Sequence, residues 1–512
     1  MSDKSTKGIW KVISASSMGT MIEWYDFYIF GSLAVVISTK FFPSDNPTAA
    51  FLSTLATFAA GFVVRPFGAL FFGRLGDIIG RKYTFMVTLL LMGGATFLIG
   101  CIPSYETIGF VAPLLVLILR LLQGLALGGE YGGAATYVAE HAPAGQKGYW
   151  TSWIQTTATV GLFISLMVIL LTKSALSKEA FDEWGWRVPF WVSILMVLVS
   201  YLIRKNMHES PVFAKAKAEG KTTSNPLKES FGNKYNLKFV LLALFGATMG
   251  QGVVWYTGQF YAMNFLKTVM SVDSSQVDML LGIALVLGTP FFIFFGWLSD
   301  KVGRKYIMMG GMLVAILLYR PIYKAMYETT DLALKTEIVE KTKIIPSVKI
   351  IDAIKSDSIY TTSKEFSDGT LVEEIKIIHQ ENGKTILDDK GKDKIEIKIT
   401  KTINSSDNWM LVFLVFIQVI FVTMVYGPIA AFLVEMFPVK IRYTSMSLPY
   451  HVGNGIFGGL LPAISTYFVT SAKDAGDPQF YLEGLWYPIG IAAVCFVIGM
   501  IYIDKKINTL HD

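Results

Sequence analysis

Along the 512 residues, long apolar runs alternate with short polar turns. Residues 239–266 carry no charge, and neither do 409–434. Each run exceeds the roughly 20 residues that cross a bilayer core. Followed along the chain, the pattern predicts twelve apolar helices at about 13–40, 50–72, 83–102, 110–138, 149–172, 187–204, 239–266, 278–297, 306–325, 409–434, 444–470 and 483–503. One stretch breaks the pattern. Residues 326–405 hold 13 Lys and 15 Asp or Glu of the chain's 84 charged residues. There Ile395, Ile397 and Ile399 alternate with Glu396, Lys398 and Thr400, the period of a half-buried strand. Glu381-Asn382-Gly383-Lys384 lies between apolar runs and reads as a hairpin turn. The expected fold class is an all-α polytopic membrane protein with twelve transmembrane helices and a small β-rich insert.

An internal repeat organises the helices. Gly73-Arg74-Leu75-Gly76-Asp77-Ile78-Ile79-Gly80-Arg81-Lys82-Tyr83 matches Gly296-Trp297-Leu298-Ser299-Asp300-Lys301-Val302-Gly303-Arg304-Lys305-Tyr306 at an offset of 223. A weaker match places Glu140 against Glu435 at an offset of 295. The difference, 72 residues, matches the polar block, so the insert entered the second of two six-helix halves. Expected units are a bundle over 1–206, a central loop over 207–238, helices seven to nine over 239–325, the insert over 326–405, and helices ten to twelve over 406–512. Parallel halves related by an axis along the membrane normal are a transporter architecture. In the repeated turn, the glycines allow close helix approach. Asp77 can accept from a neighbouring helix N-terminus or from Arg81, forming a latch that a rocking motion must break. Arg74, Asp300 and Arg304 are expected in the same gate.

Charge then sets orientation. The formal charge of +6 divides into −2 for the insert and about +8 for the body. A basic body can signal nucleic acid, but these Lys and Arg flank apolar runs, so the expected contact is the bilayer. Short loops on the N-terminal side carry 22 Lys and Arg, and the opposite loops about five. The bias predicts cytoplasmic termini, an inner-membrane location and an external insert. Two cysteines and five scattered histidines give no disulfide framework, metal cluster or H-E-x-x-H site, and no phosphate-binding G-x-x-x-x-G-K-[ST] occurs. No cofactor or metal is expected, and neither is an enzyme.

Five ionisable residues fall inside first-half helices: Glu23, Asp26, Arg65, Arg120 and Glu130. Charge in the membrane is expensive and must face a partner or a wet cavity. Asp26 falls about 20 Å from the inner end of its helix, and Arg120 about 15 Å from the outer end of its own, both near midplane. Glu23 and Asp26 are three residues apart and share a helix face. Three acids against two arginines leave one carboxylate without an arginine partner, which would let it take a proton near neutral pH. The alternative is a static ion-pair network that fixes packing. Proton-coupling candidates are Asp26, Glu23, Glu130 and His451. Solute-contact candidates are Arg120, Gln123, Tyr25, Gln155, Gln251, Tyr256, Gln259 and Asn454, each of which could instead form interhelical hydrogen bonds.

Gly19-Thr20-Met21-Ile22-Glu23-Trp24-Tyr25-Asp26-Phe27, Arg65-Pro66-Phe67-Gly68, Arg120-Leu121-Leu122-Gln123-Gly124 and Gly128-Gly129-Glu130-Tyr131-Gly132-Gly133 resemble motifs of the major facilitator superfamily, in its metabolite:proton symporter branch. The resemblance covers nearly the whole chain except the insert. It implies the major facilitator fold and symport of shikimate, 2-oxoglutarate, citrate, or proline and betaine. The second half lacks counterparts of the acidic first-helix pair. The resulting expectation is a proton symporter of a small organic solute, acting as a monomer. Arg120 favours an organic anion, whereas the acidic pair also suits a zwitterion. A ligand sensor using the insert is the remote alternative, and the insert's own partner is unassigned.

Overall fold

The computed structural model describes residues 3–43, 47–205, 208–350, 355–381, 384–386 and 395–504. Helices lie at every predicted position. Among the described residues, ten helical segments are long and apolar enough to cross a membrane, from Arg81–Ile99 to Phe480–Tyr502. An eleventh candidate is the pair Gly8–Ser32 and Ala34–Phe41, bent by 68°. The bend follows Gly31-Ser32, a combination that kinks helices. Pro47–Ile78 is a further helix of 32 residues. Large side chains such as Val63, Phe67, Phe71, Leu170 and Leu195 are exposed along these helices. An exposed apolar belt of that kind suits hydrocarbon rather than water.

The repeated turn has a backbone cause. Gly80 and Gly303 occupy matched positions between consecutive helices, with φ of 142° and 109°. A side chain is strained at such φ, so each turn requires glycine. Contacts gather the 78–81, 141–147 and 302–304 turns at one pole, through Asp77 with Thr444, Asp300 with Gly148 and Arg442 with Glu140, whereas the insert sits on the Ser271 end of a helix. The helix Lys234–Val269 contains three π-helical stretches, and the Arg442–Asp474 helix contains another over Gly453–Gly458. Glycine lets the two helices approach closely: a Cβ on Gly252 would lie 2.5 Å from the Gly453 carbonyl oxygen.

The insert is β-rich. Strands β1 (Lys343–Ile350), β2 (Lys355–Glu365) and β3 (Leu371–Glu381) form an antiparallel meander. Strands β4 (Lys384–Thr385) and β5 (Ile395–Thr402) both pair antiparallel with the far edge of β3. Residues 382–383 of the expected hairpin turn lie outside the described residues, though Glu381 pairs with Lys384 on either side of them. One expectation is corrected. The 395–400 alternation does form a strand, but it is not half-buried: Ile395, Ile397 and Ile399 are all exposed, because no second layer covers that face of the sheet among the described residues. The sheet is anchored on second-half helix ends. Lys401 donates its backbone N–H to the Ser271 carbonyl at 2.7 Å, and Gln276 exchanges two hydrogen bonds with the Ile403 backbone.

Candidate functional site

The first helix carries Glu23 and Asp26, Pro47–Ile78 carries Arg65, and Val111–His141 carries Arg120, Gln123 and Glu130. Packing of these helices joins the polar residues into three ion pairs. Asp26 accepts from Arg120 at 2.7 Å, from Gln123 at 2.9 Å and from Thr96 at 3.0 Å. Gln123 also accepts from Arg120 at 2.7 Å, which closes the network. Glu130 accepts from Arg204 at 2.6 Å and from Thr88 at 2.8 Å, and both members of that pair are fully buried. Glu23 meets Arg65 through one contact of 3.3 Å.

The count of three acids against two arginines is therefore corrected: every one of the three carboxylates has an arginine. The missed partner is Arg204. Beside Lys205 at a helix end it reads as a flanking loop charge. Its place on the buried stripe Ser193, Val197, Ser200, Arg204 was the available signal. The guanidinium also donates to the Ala15 and Phe85 carbonyls. Gly19 makes room for the pair, since a Cβ there would lie 1.7 Å from Glu130 Oε1 and 1.9 Å from Arg204 Nη2.

Two cavities meet at Glu23 and Arg65, the residues they share. One lies within the first half, against Asp26, Arg120 and Gln123. The other lies between the halves and is lined by Trp24 from the first half and by Trp255, Tyr256, Tyr426, Tyr450, His451 and Asn454 from the second. His451 is buried, and its Nε2 has no hydrogen-bond partner among the described residues. Trp24 and Trp255 face each other across the halves, with ring centroids 5.1 Å apart. Trp24, Trp255, Tyr426 and Tyr450 are not among the solute-contact candidates of the sequence, because a cavity-lining aromatic has the same periodicity as a packing one.

The other candidates scatter. Tyr25 donates to the Pro189 carbonyl at 2.6 Å inside the first bundle. Gln155 donates to the Tyr131 hydroxyl at 2.8 Å. Gln251 and Asn454 exchange hydrogen bonds of 3.1 and 3.0 Å, which joins two helices. Gln259 is buried and lines neither cavity. Tyr256 and His451 reach the shared cavity, and Gln123 the inner one.

At the pole opposite the insert, the halves are latched in a matched way. Asp77 pairs with Arg81 at 2.9 Å and accepts the Thr444 N–H at 2.8 Å and the Tyr443 N–H at 3.3 Å. These amides begin a second-half helix, where an anion is favoured. Asp300 pairs with Arg304 at 2.6 Å and accepts the Gly148 and Tyr149 N–H groups at 2.9 and 2.8 Å, at the start of a first-half helix. Arg304 also reaches Glu435, and Arg442 crosses between halves to Glu140 at 2.8 Å. The motif glycines permit the approach: a Cβ on Gly76 would lie 2.2 Å from the Tyr443 ring. Arg74 is exposed and makes no ion pair among the described residues, because it lies on the outward face of its helix.

Two helical bundles latched at one pole around a shared polar cavity define a solute transporter of the membrane, not an enzyme. The family described as "Sugar (and other) transporter" matches residues 11–234, and that described as "MFS/sugar transport protein" matches 145–362. The citrate-proton symporter of Salmonella typhi is 29% identical over 482 residues, covering 93% of this chain and 92% of that one. The alpha-ketoglutarate permease of Escherichia coli K12 is 32% identical over 330 residues, covering 64% and 74%. A proline/betaine transporter of Salmonella typhimurium is 33% identical over 316 residues, covering 60% and 63%. The fold matches the proton:xylose symporter XylE bound to 6-bromo-6-deoxy-D-glucose, with a TM-score of 0.69 at 14% identity over 99% of this chain and 98% of that one. The chain belongs to the major facilitator superfamily, in its metabolite:proton symporter branch.

Proposed function

We propose that this protein moves a small organic solute together with protons across the inner membrane by alternating access. In this reading twelve helices form two halves, 1–206 and 239–512, joined by the 207–238 loop and interrupted by the external 326–405 insert. The bent first helix and Pro47–Ile78 complete the count of twelve. Both termini are cytoplasmic, as the 22 to about five division of basic loop residues favours. Asp77, Arg81, Asp300 and Arg304 then form the cytoplasmic gate, drawn closed.

One observation carries the reading. The charged groups at the two cavities, Glu23, Asp26, Arg65 and Arg120, come from the first half, whereas the second half contributes aromatic rings, Asn454 and His451. Such an arrangement holds a proton on one bundle and presents a solute to both. Glu23, held by one contact at the cavity wall, is the proton carrier of choice, and Asp26, one turn away on the same helix, belongs to the same pathway. An organic anion fits the arginines, and the printed names of the citrate and alpha-ketoglutarate relatives support that class. The proline/betaine relatives keep a zwitterion as the second reading. Reconstituted in proteoliposomes, Asp26→Asn is expected to abolish uphill uptake driven by a pH gradient while sparing solute exchange. Uphill uptake that survives intact would remove Asp26 from the proton pathway.

A further inference from the structure

We propose that Arg65, not Arg120, anchors the solute, and that a monocarboxylate anion reaches it by displacing Glu23 as the co-transported proton discharges that carboxylate. The inference rests on the symport reading above and assigns the solute's charged end and its contact.

The three first-half ion pairs differ in how readily they exchange partners. Asp26 and Arg120 are tied by Gln123 and Thr96, and Glu130 and Arg204 by Thr88 and two carbonyls. The Glu23–Arg65 pair rests on one long contact, with side chains 11% and 16% exposed against 5% or less in the other two pairs. Arg65 Nε is buried without a hydrogen-bond partner among the described residues. A guanidinium offers five donors and binds carboxylates through two at once. Arg65 therefore has donors to give a carboxylate in the shared cavity.

Charge balance couples the two events. Before binding, Glu23 and Arg65 sum to zero. The proton, delivered from the bulk as hydronium and relayed through cavity water, forms an O–H bond on the Glu23 carboxylate and leaves only neutral water behind, and Arg65 stays protonated. A monocarboxylate then replaces Glu23 at Arg65, and the sum is again zero. Either event alone would leave an uncompensated charge at low dielectric, which is strongly unfavourable. The groups that face Glu23 from other helices do not spoil the balance. Glu130 is neutralised by Arg204, Asp26 by Arg120, and Tyr131, Tyr256 and His451 are not anions. Arg65 is the cationic group shared with the second-half surface, so a tricarboxylate would leave two carboxylates unmatched. The facing Trp24 and Trp255 rings suit an apolar body behind the carboxylate.

Those tryptophans report occupancy. Full-length protein in detergent is titrated with lactate, butyrate, benzoate, citrate and glycine betaine, following tryptophan fluorescence. Calorimetry in two buffers of different ionisation enthalpy gives the protons taken up. Wild type is expected to bind at least one monocarboxylate with uptake of one proton, and more tightly than citrate or betaine. Glu23→Gln, nearly isosteric, should keep binding but lose proton uptake and the pH dependence of affinity. Arg65→Lys and Arg65→Ala, each checked for a monodisperse fold, should weaken binding about 10- to 100-fold. Proton uptake that persists in Glu23→Gln, full affinity in both Arg65 variants, no monocarboxylate binding, or preference for citrate or betaine would each overturn the proposal. Proteoliposome uptake by wild type separates the two readings. If it is proton-driven and these outcomes fail, only the Arg65 assignment falls; if it is not, the symport reading falls.

Discussion

Gly19→Ala tests the buried Glu130–Arg204 pair through a residue that carries no charge. In a helix, replacing glycine by alanine is intrinsically favourable by about 0.5–1 kcal/mol. At position 19 the new methyl would lie 1.7 Å from Glu130 Oε1 and 1.9 Å from Arg204 Nη2, so one partner must move. The guanidinium is held by the Ala15 and Phe85 carbonyls, and Glu130 by Thr88, so neither moves freely. Overpacking costs about 1–3 kcal/mol, and separating a buried ion pair about 3–5 kcal/mol. If the methyl separates the pair, subtracting the helix gain from the pair term leaves a net loss of about 2–4.5 kcal/mol, enough to lower the thermal midpoint by several degrees. Gly8, on the same helix and away from its bend, is the control, since a Cβ there meets nothing within 4 Å. Thermal unfolding in detergent should rank Gly8→Ala at or above wild type and Gly19→Ala well below. Adding Glu130→Gln to Gly19→Ala should cost less than the sum of the single changes, because the pair is already broken. Equal stability of the two alanine variants would refute the placement of the pair beneath Gly19.

Two further outcomes follow from the latch and the insert. Asp77→Asn keeps one acceptor oxygen but loses the charge that the Tyr443 and Thr444 amides and Arg81 share. That loss of about 1.5–3 kcal/mol should bias the protein toward the unlatched state by ten-fold or more. In a Cys101→Ser background, maleimide labelling of Ser447→Cys, buried behind Gly132, should speed up accordingly; an unchanged rate would sink the latch. In the insert, burial opposes ionisation of Asp368, but Lys335, the Thr370 amide and the Thr370 hydroxyl outweigh it and hold its carboxyl down at about 2 from the usual 3.8. Its stabilising contribution is thus complete above the unfolded value and is lost as pH falls through about 2. Acid-protease cleavage of the insert should accelerate over that window in wild type, and Asp368→Asn should cleave readily already at its upper end.

What could be read along the chain depended on how many residues carried each signal. A membrane helix is announced by about twenty apolar positions, so all twelve predicted spans coincide with helices, and the repeat placed the insert because two offsets disagreed by its length. The latch was legible for the same reason: Asp77 and Asp300 recur with their glycines, and each does accept the amides of a neighbouring helix end. Ion pairing rests on single residues from different helices, and there the reading failed. Arg204 looked like a loop charge because it ends an apolar run, yet a guanidinium on a long stem reaches back to Glu130. Once Arg204 is counted, no carboxylate is left over to serve as proton carrier by arithmetic. The choice among Glu23, Asp26 and Glu130 then depends on how each pair is held. A carboxylate with three hydrogen-bond donors gains little from a proton, because protonation costs it the charge that those donors stabilise. A carboxylate with one donor at 3.3 Å, on a cavity wall, loses far less. By that comparison the exchangeable charge in the first half sits at Glu23, and Asp26 acts on it from one turn away.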